Sequence, residues 1–206
     1  MYVKLKCLIS RMIGIVGLLV LWPLFLIIAV AIKLDSKGPV FFAQERLGLH
    51  GKTFKMYKFR SRCVGAEYTG SGVYSGKGDS RVTKVGRILR ATSLDEIPQF
   101  ANLANGTMHL VSWRPPLLYH PWPLEEYTEE QLRMFDLRPG ITGWAQVHGR
   151  KGVEWHDRIE LNIWYVDHVS FLLDMKIFFM TIFKLLSNAD NENVGETVKK
   201  QIDNAT

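Results

Sequence analysis

Cysteine is nearly absent: the 206 residues hold two, Cys7 and Cys63, without CxxC spacing. This excludes a disulfide framework and a cysteine-based zinc site, and it fits a reducing compartment. Internal repeats are absent, so the chain is not a solenoid or a propeller. No recognised nucleic-acid module appears and the basic residues are dispersed, which makes nucleic acid the weakest partner for a net charge of +6 and a pI near 9.3. An anionic membrane surface or a phosphorylated substrate suits that charge better. No small-residue cleavage site follows the N-terminal apolar run, and Lys33, Asp35 and Lys37 come directly after it, which argues against a cleavable signal peptide.

What is present begins with that run. Ile13 to Ile32 carries no charge over about 20 residues, or about 30 Å of helix, enough to cross a bilayer. Pro23 lies at its middle, where it removes one helix hydrogen bond and bends the axis. Both flanks are cationic: Lys4, Lys6 and Arg11 before, Lys33 and Lys37 after. Cationic flanks stay on the cytoplasmic side, so a straight span would misplace one of them. Two arms of about 15 Å hinged at Pro23 reach the midplane and return. The expectation is a re-entrant helix-break-helix anchor over residues 1–37, a catalytic domain over 38–187 on the cytoplasmic face, and a polar tail over 188–206. The fold class expected is α+β, mostly helical, with interfacial amphipathic helices and a short sheet or extended strands.

An adjacent acidic pair, Asp95-Glu96, follows a run of cations at Arg81, Lys84, Arg87 and Arg90. Carboxylates next to that much positive charge suit a divalent metal, a phosphate ester, or both. The plain alternative is a capping box, Ser93-x-x-Glu96, opening a helix. Pro98 counts against a cap at Ser93 and is tolerated if the helix opens at Asp95 and runs to Asn105. Upstream, Lys58, Arg60 and Arg62 alternate on one face of an extended segment, either a solvated face or a flank for a pyrophosphate. Tyr68 to Asp79 reads as a Gly/Ser-rich loop, and Leu124 to Phe135 as a Glu-rich surface helix. Arg138 to Trp144 is turn-dense, and its amides, at Gly140 and Thr142 among others, could cradle an anion. Trp155, Ile159, Ile163 and Val166 recur at helical spacing and read as core. Val169 to Leu186 is apolar but carries Asp174, Lys176 and Lys184, too charged for a span, which leaves a core helix or, the reading favoured, an in-plane interfacial one.

GPVFFAQERLG, KMYKFRS, DSRVTKVGRILRATSLDEIPQ, RPP and LRPGITGWAQVHGR occur in this order and spacing. Together they closely resemble the monotopic phosphoglycosyl transferases, bacterial enzymes that begin glycan assembly, over nearly the whole chain and in a minimal catalytic form. The resemblance implies transfer of a sugar 1-phosphate from a UDP-sugar to a polyprenyl phosphate at the cytoplasmic membrane, with release of UMP. It implies Mg2+, a covalent phosphosugar on Asp95, and Glu96 as metal ligand or acid-base partner. Arg114 and Arg150 fall on family arginines near the phosphates. Lys58, Arg60, Arg87, Arg90, Pro115, Arg138, Gly140, Thr142 and Gln146 are the other substrate-binding candidates. Membrane lipids are expected partners, as are a second copy of the chain and downstream glycosyltransferases.

Family members usually read G-D-M-S-L-V-G-P-R-P where this chain has Gly106-Thr107-Met108-His109-Leu110-Val111-Ser112-Trp113-Arg114-Pro115. Losing Gly-Pro before the arginine bears on where Arg114 points. Trp113 is assigned to packing rather than to stacking on a base. The second functional reading is a catalytically weakened anchor that binds nucleotide-sugar or lipid phosphate and recruits glycosyltransferases.

Overall fold

The computed structural model describes residues 2–70, 78–148 and 154–186. The first element, α1 (Tyr2–Asp35), is the one helix among these residues long and apolar enough to cross a membrane. It departs from the expectation in one respect: no break divides it, and Pro23 sits inside a continuous helix. A proline forfeits a single intrahelical bond and jostles one carbonyl, a local defect that the intact turns on either side can carry.

Both halves of α1 lie against the rest of the chain. In the first half, Lys6 is buried in an ion pair with Asp174 at 2.7 Å and also donates to Tyr165. Ser10 Oγ accepts from the Leu110 amide at 3.1 Å, and Arg11 donates to the Asn105 carbonyl at 3.3 Å. In the second half, Ile28 and Ile32 are buried with Phe59 and Leu89, while Phe25 meets Phe59 at 5.1 Å between ring centroids. Asp35 then accepts from the Val85 amide at 2.9 Å. Between these regions Leu19, Val20 and Trp22 are exposed.

A hairpin follows, β1 (Phe41–Leu47) antiparallel to β2 (Thr53–Phe59), with Phe41 opposite Phe59 and Leu47 opposite Thr53. Next come α2 (Lys84–Ala91), a 3-10 segment over Leu94–Gln99, and α3 (Phe100–Ala104), which ends before Gly106. The helix expected from Asp95 to Asn105 is therefore present, but its first turns are 3-10. Pro98 sits within that tighter segment. β3 (His109–Val111) pairs in parallel with β4 (Gly140–Thr142). Between them the Glu-rich stretch is not one helix. It divides into 3-10 turns around α4 (Glu129–Leu132), because Thr128 forms a capping box with Gln131 and restarts the chain there.

α5 (Trp144–Val147), α6 (Trp155–Asp167) and α7 (Phe171–Leu186) complete the described chain. Ile159 and Ile163 of α6 join Trp113, Met134, Phe135 and Ile177 in the main core, as their spacing predicts. On α7, Asp174 is buried while Phe171, Leu172, Phe179, Ile182 and Phe183 are exposed. The expected polar tail over 188–206 lies outside the described residues, as does most of the Gly/Ser-rich loop.

Candidate active site

The acidic pair owes its position to a reversal of the backbone. Thr83 caps α2, its hydroxyl accepting from the Gly86 amide at 3.0 Å. After the helix ends, Ser93 takes a left-handed conformation, φ 57° and ψ 16°. That geometry costs a non-glycine residue about 1 kcal/mol and is typical of positions held by a site. Ser93 makes no side-chain cap, and the Glu96 side chain turns away from it, so the capping box is not formed. The 3-10 turn instead buries Asp95 and carries Glu96 across to β2.

Glu96 is gripped on two sides. Lys58 Nζ donates to its Oε1 at 2.8 Å, and Arg114 donates from Nη2 to Oε1 at 2.5 Å and from Nη1 to Oε2 at 3.2 Å. Burial acts to raise the Glu96 pKa, but the charges of Arg114 and Lys58 outweigh it and hold the group well below the usual carboxylate range. Asp95 responds in the opposite direction. Its burial raises the pKa, and the charge of Glu96 adds to this, against the opposing cations Lys58, Arg90 and Arg114. Two adjacent carboxylates are thus driven apart, one fixed as an anion and one closer to its proton, an arrangement found where chemistry is done. Burial also lowers the Lys58 pKa, assisted by Arg114.

Arg114 reaches Glu96 despite the altered residues before it. Trp113 is fully buried, donates Nε1–H to the Leu137 carbonyl at 3.2 Å and meets Phe135 edge-on at 5.1 Å. The indole fixes the strand end, and the next residue projects to the acidic pair. Pro115 is buried beside it, its carbonyl accepting from Arg46 at 3.0 Å.

Other candidates stand apart from this cluster. Arg60, on the residue after β2, is buried and donates to the carbonyls of Ser36 and Lys37, so its guanidinium closes the end of α1. Lys58 and Arg60 therefore serve different partners, contrary to the single-face expectation, because the strand ends at Phe59. Arg87 is exposed on α2, and its side chain makes no hydrogen bond or ion pair to the described residues. Arg138 acts on His109, whose pKa is lowered to about 3 by burial, with Lys6 and Arg138 adding to the effect. The amide cradle expected around Gly140 is closed in this structure: the Gly140 amide donates to the Trp113 carbonyl at 2.7 Å. A side chain at Gly143 would place its Cβ 1.5 Å from the Ser112 carbonyl oxygen, so this motif serves close packing onto β3. Thr142 shares a hydrogen bond with Thr181 at 2.7 Å, and Gln146 donates to the Ile141 carbonyl at 3.2 Å. Arg150 lies outside the described residues. Arg62, read in sequence with Lys58 and Arg60 as a possible flank for a pyrophosphate, is half-buried near Arg90 and Arg81, and burial and their charges lower its pKa.

Comparison with known proteins matches the sequence pattern described as Bacterial sugar transferase over residues 1–188. The chain belongs to this family. The uncharacterized sugar transferase EpsL of Bacillus subtilis is 45% identical over 163 residues, covering 79% of this chain and 77% of that protein. Proteins named UDP-glucose:undecaprenyl-phosphate glucose-1-phosphate transferase are 38% identical over 190 residues in Xanthomonas campestris and 41% over 172 residues in Escherichia coli. These matches cover 90% and 81% of this chain but only 39% and 37% of those longer family members.

Proposed function

We propose that this chain transfers a sugar 1-phosphate from a UDP-sugar to a polyprenyl phosphate, undecaprenyl phosphate in the named relatives, through a phosphosugar carried on Asp95. The observation that carries the reading is the buried Asp95 beside a Glu96 held anionic by Lys58 and Arg114. In the first step a carboxylate oxygen of Asp95 attacks the phosphorus that bears the sugar. The bond from that phosphorus to the bridging oxygen breaks, and UMP departs with the electron pair. In the second step an oxygen of the lipid phosphate attacks the same phosphorus and Asp95 leaves as its carboxylate. A carboxylate attacks an anionic diphosphate only where cations offset the repulsion, and Lys58, Arg90 and Arg114 surround the pair.

Glu96 is a positioning residue in this scheme. A carboxylate held well below its usual range is ionised at neutral pH and has no proton to give, so it orients Arg114 and Lys58. Among the described residues no three His, Cys, Asp or Glu side chains converge as a metal cage. Two adjacent carboxylates with donor phosphates nonetheless match the sparse protein ligation that Mg2+ takes, and Asp95 and Glu96 are the residues that would hold it. Bound there, the ion would neutralise diphosphate charge.

The same reading keeps α1 as a re-entrant anchor, although the helix runs unbroken through Pro23, with both ends and the catalytic domain on the cytoplasmic face of the cytoplasmic membrane. Its support is that both halves of α1 contact one domain and that both flanks are cationic. The contact between Arg114 and Glu96 supports the catalytic reading over a weakened, binding-only protein, since the altered residues before Arg114 do not turn it from the acidic pair. The test is UMP release from a panel of UDP-sugars with polyprenyl phosphate and Mg2+ in nanodiscs. Release should depend on Asp95, and acid-quenched protein should gain the mass of one phosphosugar. No UMP from any donor, or an Asp95→Asn variant near the normal rate, would overturn the reading.

A further inference from the structure

A groove of about 440 Å3 runs along α1 where it meets α3. Two rows of residues, each spaced by four, form it: Met12, Val16 and Val20 on the rim, and Ile13, Gly17 and Leu21 on the floor. Phe100 closes one side, and no polar atom lines the surface. Gly17 is the notch that admits the ring, since a Cβ there would lie 2.3 Å from Phe100 Cδ1. The rim residues are more than half exposed, so a chain can enter sideways from the membrane interior.

We propose that this groove holds the isoprenoid chain of the lipid acceptor next to its phosphate, an inference that rests on the transfer reaction proposed above. Phe100 begins α3 directly after the 3-10 segment that carries Asp95 and Glu96, with no intervening loop. At 2 Å of rise per residue the ring's backbone stands about 10 Å from that of Asp95. A lipid phosphate brought to Asp95 must send its hydrocarbon towards an apolar surface, and this groove adjoins the same rigid segment. The nucleotide sugar has no apolar chain to place there.

Two measurements test the inference. A photoreactive side chain in place of Val16, in the full chain in nanodiscs of bacterial phospholipid, should capture polyprenyl phosphate over phospholipid by roughly tenfold at equal mole fraction. This readout needs no turnover, so it stands even if no UDP-sugar is consumed and the transfer reading fails. Val16→Trp and Val20→Trp, which fill the groove from exposed positions, should raise the polyprenyl phosphate concentration at half-maximal rate about fivefold, while the half-maximal UDP-sugar concentration stays put. Leu19→Trp and Ile27→Trp, exposed positions outside the groove, serve as controls and should leave both values alone. Capture of phospholipid alone, capture of a second copy of the chain, or equal effects of groove and control substitutions would overturn the proposal.

Discussion

At Glu96 one carboxylate accepts from Lys58 and from both terminal nitrogens of Arg114, so neutralising it strands two cations in a site that is only a quarter open to solvent. Glu96→Gln should lose about 2 kcal/mol of stability at pH 7, read by unfolding in detergent, and most of the turnover. Because the folded pKa is depressed, this contribution is present above the unfolded value of about 4 and lost only as pH falls through the lower folded one. Wild type and Glu96→Gln should therefore converge only in strong acid. Asp95 behaves in reverse. Its raised pKa means that the ionised form costs stability, a cost absent below the unfolded pKa and complete once pH has risen through the folded one. Asp95→Asn should be inactive yet more stable than wild type at pH 8, and no different near pH 3. An Asn variant less stable than wild type at pH 8 would contradict the burial argument. The acidic pair, Lys58 and Arg114 were all legible in the motifs. The parting of Lys58 from Arg60 was not, since alternation predicts a shared face only while the strand continues, and β2 stops between them.

Among the elements, α1 depends most on distant partners. Lys6 and Asp174 form a buried pair, 4% and 10% exposed at the side chain, with Tyr2 and Tyr165 donating to the same carboxylate. Lys6→Met should cost about 3 kcal/mol because it leaves Asp174 charged and buried, and adding Asp174→Leu should restore much of it. Thermal unfolding of the single and double variants in one detergent reads both values. A cysteine beside Met1, in a chain with Cys7 and Cys63 replaced, should escape a membrane-impermeant thiol reagent in intact cells. Pro23→Ala should increase its labelling, because restoring the missing intrahelical hydrogen bond removes the defect that disfavours a span. Strong labelling without that substitution would mean that α1 crosses the membrane. The apolar run and its proline were plain in sequence, but the partners of Lys6 were not. A cation on the flank of a greasy helix reads as a headgroup contact, and only the fold brings α7 beneath it.

For the molecule as a whole, the exposed apolar residues of α1 and α7, joined by Phe41 and Ile88, outweigh anything a soluble surface carries. Membrane attachment should accordingly survive a wash in about 1 M salt, which screens the +6 charge, and yield only to detergent. Release by salt would assign the attachment to electrostatics instead. The α+β class and the main helices were readable from periodicity. The small parallel pair of β3 and β4 was not, because three-residue strands leave no pattern, and neither was the division around α4, where a local cap at Thr128 decides against a longer helix.

The bond from Tyr2 to Asp174 joins residues 172 positions apart, which gives it a meaning in time as well as in space. During synthesis the N-terminal arm emerges first, and its Lys6 finds no counter-charge until α7 has been made. Until residues 100–110 have been made, and with them the partners of Ser10, Arg11 and Gly17, the arm is held only by its own hydrophobicity and flanking cations. The buried pair with Asp174 closes late, with the last helix among the described residues. A ribosome stalled before residue 174 would hold an α1 already packed along its length but with the Lys6 ammonium still lacking its buried counter-charge.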